Sequence, residues 1–201
     1  MKLIQVNDSN LEFLGQVKAL YLEAFPKEER KPYPIMEQKQ RERKMQIWAI
    51  VQEVNCAAEI NQKENNRDVL EFCGLAIVIL AQEMVLLDYF VIDPKKRGKG
   101  IGSAVLELLK EKYVNACLIL EIESTSERET GLSKEEQQIR EKRKRFYYQN
   151  KMRNTGLLVK LFGVSMEVLS DGRKISFEEY LKIYTDTFGE CIAEKIECIS
   201  R

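Results

Sequence analysis

The 201-residue sequence contains no histidine. That absence excludes a Ser-His-Asp triad, a Cys-His pair and a His-bound catalytic metal. Proton transfer in this chain falls to Asp, Glu, Lys, Tyr, Cys or water. Cysteine is scarce and odd in number: Cys56, Cys73, Cys117, Cys191 and Cys198, with no C-x-x-C pair. Neither a structural zinc site nor a disulfide framework fits that pattern. The expectation is buried, reduced thiols acting as small apolar residues. Net charge is missing as well, since Lys plus Arg and Asp plus Glu both total 32. A general binder of nucleic acid or anionic membrane needs a basic excess, so neither partner is expected. No apolar run approaches the roughly 18 residues of a membrane helix, and residues 1–10 lack a signal-peptide core. The expectation is a soluble cytoplasmic protein with one full core.

What is present reads as alternating strands and helices. Residues 2–6 have strand composition. Ser9 and Glu12 have capping-box spacing, and Leu11, Leu14, Val17, Tyr21 and Ala24 follow at helical steps. This predicts a helix over 10–24, stopped by Pro26. Pro26, Pro32 and Pro34 punctuate an irregular segment, and 35–45 reads as a short polar helix. Residues 46–54, 69–80 and 84–92 read as strands, the last two joined as an antiparallel hairpin. Polar residues 55–68 read as an exposed hairpin connection. A helix is predicted over 101–113, burying Ile101, Val105, Leu108 and Leu109. In 116–124, Leu118, Leu120 and Ile122 face one way, while Glu121 and Glu123 face the other. A charged loop, a helix over 135–151 and two strands broken near Gly163 follow. Ser176 caps another helix, and 190–200 reads as a last one, with Cys191 and Cys198 on one face. With no repeat or linker, the order describes one mixed α/β domain.

The stretch YFVIDPKKRGKGIGSAVLELL, residues 89–109, sets glycine and cations between a strand and a helix. N–H groups at a helix start lack internal partners and sit at the positive end of the dipole. Glycines let a large anion approach that backbone, so the segment suits a phosphate or pyrophosphate. Lys95, Lys96 and Arg97 add charge. A P-loop is excluded, because no Lys-Ser or Lys-Thr follows the glycines. A dinucleotide fingerprint needs glycine where Ser103 stands. Glu121, about 20 residues past Gly102, nevertheless falls where a ribose-binding acid would. That reading and a plain glycine-rich surface turn stay open on the motif alone.

The stretch VIDPKKRGKGIGSAVL resembles motif A of the GNAT superfamily of acyl-CoA N-acyltransferases, [RQ]-x-x-G-x-[GA] after a strand. Here it is Arg97, Gly100 and Gly102. RFYYQNKM, residues 145–152, resembles the family's RFYxxNGF stretch. Asn150 fits, while Lys151 and Met152 replace Gly and Phe. The resemblance spans about 2–169, and AFPKEER resembles a first inter-helix region of one bacterial subgroup. It implies a GNAT fold over 1–170, a central mixed, mostly antiparallel sheet flanked by helices. Residues 171–201 become a C-terminal helical extension on the same domain. The implied cosubstrate is acetyl-CoA. Its pyrophosphate would sit on the backbone of Arg97, Gly98, Lys99, Gly100, Ile101, Gly102 and Ser103. Its pantetheine would pair with Phe90, Val91 and Ile92.

The resemblance also implies that an unidentified primary amine attacks the thioester directly. Tyr147 would protonate the thiolate, and a carboxylate would take the amine's proton. Glu121 ranks first for that role, then Asp88, then Glu123. Asp88 is the only charge in MVLLDYFVI. An unpaired buried carboxylate costs several kcal/mol, so Asp88 needs a partner or a cleft. Residues 140–145, with Arg140 where the family often has a small polar residue, read as a solvated helix face. Glu29 and Arg30 read as an acceptor contact or a solvated loop. The extension could cover the acceptor cleft or form a homodimer surface. The competing class is a non-catalytic acyl-CoA-binding module.

Overall fold

Residues 73–79, Cys-Gly-Leu-Ala-Ile-Val-Ile, show no alternation of apolar with polar. Such a run forms a strand covered on both faces. In the computed structural model, which describes residues 1–54, 69–125 and 132–199, that run lies inside an eight-stranded sheet. In chain order the elements are β1 (Lys2–Gln5), α1 (Leu14–Ala24), α2 (Tyr33–Arg41), β2 (Met45–Val54), β3 (Val69–Leu80) and β4 (Met84–Ile92). Then come α3 (Ile101–Lys112), β5 (Cys117–Glu123), α4 (Lys134–Gln149), β6 (Arg153–Leu161) and β7 (Val164–Ser170). The chain continues with α5 (Phe177–Phe188), α6 (Glu190–Ala193) and β8 (Ile196–Cys198). Across the sheet the order is β1-β2-β3-β4-β5-β7-β6-β8. Only β4 and β5 run parallel among the described pairs, so the sheet is mixed and mostly antiparallel, as expected.

Two cores sandwich it. On one face, Val17, Leu20, Tyr21, Met36, Tyr180, Ile183 and Tyr184 of α1, α2 and α5 pack on Ile47, Ala49, Leu75 and Ile77. On the other, Ile101, Val105, Leu106 and Leu109 of α3 and Tyr147 of α4 pack on Trp48, Ile50, Ala76 and Val78. Among the described residues, no helix is long and apolar enough to cross a membrane.

Several local expectations change. The Ser9–Glu12 capping box does not form. Asn7 and Asn10 side chains instead accept from the Ser9 and Glu12 N–H groups, and α1 starts only at Leu14. Asparagine competes well for nearby backbone donors, which delays the helix. Real capping boxes occur at Ser133–Glu136 and Ser176–Glu179. Leu106, not Leu108, joins the buried face of α3. The last segment is not one helix. It is the four-residue α6 followed by β8, which pairs with β6, so the extension is partly strand. Cys73 is buried and Cys117 half-buried, but Cys191 and Cys198 are exposed, and all four are free thiols. The 55–68 connection and Cys56 lie outside the described residues.

One glycine of β3 is fixed by packing. A Cβ at Gly74 would lie 2.4 Å from the Val91 carbonyl oxygen of β4. Gly74→Ala should therefore lower stability by about 3 kcal/mol, as overpacking against backbone does. The check is a lower urea midpoint with an unchanged m-value.

Candidate active site

The end of β4 is set by Asp93. Its N–H donates to the Cys73 carbonyl at 2.9 Å, and its Oδ1 accepts from the Lys95 N–H at 2.9 Å. This caps a 3₁₀ turn over Pro94–Lys96. Gly98 and Gly100 then take φ of 79° and 75°, the left-handed region that costs a residue with a Cβ about 1–2 kcal/mol. Gly100 is the N-cap of α3 and supplies no side-chain cap. Ala104 is the first residue of the turn whose N–H bonds back, to Gly100 at 3.1 Å. The N–H groups of Ile101, Gly102 and Ser103 therefore remain free at the positive end of α3. That arrangement fits a phosphate.

Two details of the loop differ from the sequence expectation. Lys96 is ion-paired with Glu71, so the free charge comes from Lys95, Lys99 and Arg97. Arg97 also ties the loop down, donating from Nε to the Ile92 carbonyl at 3.0 Å. Gly102 has a packing role as well. A Cβ there would lie 3.0 Å from Phe146 Cζ, so the glycine lets α4 close on the start of α3.

Beside the loop the sheet opens. β4 and β5 pair from Met84–Cys117 to Leu87–Leu120 and then part. β5 continues along β7, and β4 continues along β3. Beyond Leu87 the other edge of β4, including Phe90, Val91 and Ile92, has no strand against it among the described residues. The β3–β4 register slips where Leu87 and Tyr89 face Val78 and Ile77, leaving Asp88 as the bulged residue. A bulge turns a side chain off the strand's alternation, and Asp88 shares a face with Tyr89.

Asp88 and Glu121 thus flank one opening, on the face carrying α1, α2 and α5. The Asp88 side chain is 4% exposed. Its Oδ1 accepts from Lys31 Nζ at 2.7 Å, and its Oδ2 is buried with no partner. Lys31 also lies over the rings of Tyr89 and Phe188, 5.1 and 5.6 Å from their centroids. Its backbone is pinned: Tyr21 Oη donates to the Lys31 carbonyl at 3.0 Å, and the Lys31 N–H donates to Tyr89 Oη at 3.0 Å. Tyr89 Oη in turn donates to the Glu29 carbonyl at 2.7 Å. Glu121 Oε1 accepts from Tyr180 Oη at 2.6 Å and Tyr184 Oη at 2.8 Å, and among the described residues none donates to Oε2. Burial pushes the Glu121 carboxyl up, helped by Asp88. The two phenols and Lys31 oppose that rise.

Glu123 is set apart by its partners. It pairs with Arg143 and, at 3.5 Å, with Arg140. Lys144 pairs with Glu167 at 2.7 Å. Glu141, Lys142, Arg143 and Arg145 are exposed, as a solvated face requires, whereas Arg140 and Lys144 are half-buried and depart from it. Arg30 donates to the Leu22 carbonyl. Burial, and then the Glu123 charge, push the Glu29 carboxyl up, and Arg143 opposes them.

Tyr147 is buried against the α3 side of the sheet, whereas Tyr148 is exposed, so α4 turns Tyr147 inward. Its ring centroid lies 5.2 Å from that of Phe146, the residue touching the start of α3. Burial pushes the phenol up to about 12, and Arg143 pulls it down. Sequence reasoning missed Lys31, Tyr180 and Tyr184. The i, i+4 spacing of the tyrosines on a capped amphipathic helix was the only signal for them, and it reads equally as core. Lys31 had none.

No curated protein matches the sequence significantly. The fold has solved counterparts. A protein described as an acetyltransferase from the GNAT family, from Bacteroides thetaiotaomicron, aligns with a TM-score of 0.67 at 16% identity, covering 94% of this chain and 99% of that one. An aminoglycoside 6′-N-acetyltransferase complexed with coenzyme A aligns at 0.58 and 15% identity, covering 85% and 96%. The ribosomal-protein-S18-alanine N-acetyltransferase from Escherichia coli aligns at 0.52 and 13% identity, covering 88% and 96%. At these identities the likeness is one of fold. The model of the acetyltransferase (GNAT) family matches residues 15–134, more than half of the sequence. The chain belongs to the GNAT acetyltransferase family, in which acetyl-CoA is the typical cosubstrate.

Proposed function

We propose that this chain transfers the acetyl group of acetyl-CoA to a primary amine by direct attack in a ternary complex. The observation that carries the reading is the opening between β4 and β5, bounded by the free N–H groups of α3 on one side and by Asp88 and Glu121 on the other. The backbone from Arg97 to Ser103 receives the pyrophosphate. The open edge of β4 from Phe90 to Ile92 receives the pantetheine as an added strand. Residues 1–170 act as the acetyltransferase domain, and α5 of the 171–201 extension covers its acceptor side.

The amine nitrogen attacks the thioester carbonyl carbon, the C–S bond breaks, and the departing thiolate takes the proton of Tyr147 Oη. The proton that the ammonium form of the amine sheds before attack goes to Glu121 Oε2. The structure supports Glu121 above Asp88 for this role, because Asp88 is already committed to Lys31. Glu123 ranks last, held by two guanidinium groups. No histidine is needed at any step.

Acetyl-CoA should stabilise the fold by about 2.7 kcal/mol at one hundred times its Kd, and NADH should give no gain. Gly100→Val should abolish the gain, since it forces a β-branched residue to positive φ at the cap of α3. The check is a thermal shift with each nucleotide. A shift with NADH and none with acetyl-CoA contradicts the reading.

A further inference from the structure

Glu121 is held by an element beyond the family match. The match ends at residue 134, whereas α5 runs from Phe177 to Phe188. Tyr180 and Tyr184 lie one turn apart, so a single face of α5 presents both. Both side chains are buried, and their ring centroids are 5.5 Å apart. Both hydroxyls aim at the same oxygen of one carboxylate, at 2.6 and 2.8 Å. An ionised carboxylate oxygen has the acceptor capacity for two donors.

We infer that Tyr180 and Tyr184 are positioning residues. They clamp Oε1 of Glu121 so that Oε2 faces the acceptor, and α5 thereby completes the active site. The inference rests on the proposed role of Glu121 as proton acceptor. The clamp does two things. Donation to the ionised form favours it, against the burial and the Asp88 charge that favour the protonated form. It also removes rotation about the last side-chain torsion, so that Oε2 keeps one direction. The other charged groups facing Glu121 are Asp88 on β4 and Lys31 in the segment between α1 and α2, and the test leaves both in place.

Tyr180→Phe and Tyr184→Phe keep the rings and delete the donors. They are made singly and together in the full chain. The Glu121 carboxyl is followed by ¹³C NMR of protein labelled at glutamate, with Glu121→Gln assigning the signal. Each single change should move the Glu121 titration up by about one pH unit, the worth of a hydrogen bond to a charged group. The acid limb of kcat/KM should move up by the same amount, with the Kd of acetyl-CoA unchanged. A Glu121 titration that stays put in both single variants overturns the clamp. A titration that moves while the acid limb stays put upholds the clamp and defeats the reading of Glu121 as the base. The single variants decide the matter even if the double variant does not fold.

Discussion

Glu121→Gln should lower kcat/KM by about 10²–10³-fold near neutral pH, within the range for loss of a general base. An alkylammonium has a pKa of about 10, so near neutrality almost every acceptor arrives protonated. Attack needs the lone pair, so Glu121 takes the ammonium proton first. The second proton, shed by the nitrogen after attack, passes through solvent to the Tyr147 phenolate once the thiolate has taken the phenol's proton. Glutamine keeps the size of the side chain and can still accept from Tyr180 and Tyr184, but it cannot hold the amine's proton. The deficit should therefore shrink as pH rises toward the pKa of the amine, because solvent then supplies free base. The wild-type acid limb has a definite sign. Burial raises the Glu121 carboxyl above its ordinary value. Activity should fall as pH drops through that raised value, not through the usual carboxylate range. A deficit constant from about pH 6.5 to about pH 9.5 would mean that Glu121 holds the acceptor without accepting its proton.

Tyr147→Phe should lower kcat by about 10²-fold, the low end for general acid catalysis, with the Kd of acetyl-CoA little changed. The modest size follows from the pKa values. A phenol pushed up to about 12 is a weaker acid than a thiol, ordinarily near 8.5. Full transfer to the thiolate is therefore uphill, so Tyr147 acts mainly by hydrogen-bonding the charge that develops on sulfur. Its proton passes to sulfur only as the phenolate is reprotonated by the last proton of the amine. The raised value also keeps it protonated across the working range, so the defect should not vary with pH below about 10. Tyr148→Phe, on the exposed side of α4, should be nearly silent. Loss of turnover in Tyr148→Phe with none in Tyr147→Phe would show that the two tyrosines have exchanged roles.

Much of this was legible in the sequence because it is local. The hairpin of β3 and β4 shows in two apolar runs with three residues between them. The anion loop shows in Gly98, Gly100 and Gly102, although Gly102 is needed for Phe146 as much as for a ligand. The alternation of Leu118, Leu120 and Ile122 against Glu121 and Glu123 placed both carboxylates on the correct face. What was not legible is long-range. Nothing near Asp88 announces a lysine from the segment between α1 and α2, 57 residues earlier. Nothing near Glu121 announces tyrosines 59 and 63 residues later. Those partners come from the sheet order, which brings α5 back over the opening. The Ser9–Glu12 pair failed for the opposite reason: its spacing was right, but the adjacent asparagines captured the same backbone donors.

The central claim is that the opening between β4 and β5, together with the free start of α3, is the acetyl-CoA site. A crystal structure of the chain grown with coenzyme A tests it most directly. The account predicts pyrophosphate oxygens within hydrogen-bond distance of the Gly102 and Ser103 N–H groups. It also predicts a pantetheine paired along Phe90–Ile92 and a thiol that ends between Tyr147 and Glu121. Coenzyme A bound elsewhere, for example in the shallow concavity of α4 lined by Glu141, Lys144, Arg145, Tyr148 and Gln149, with the β4–β5 opening empty, would contradict it.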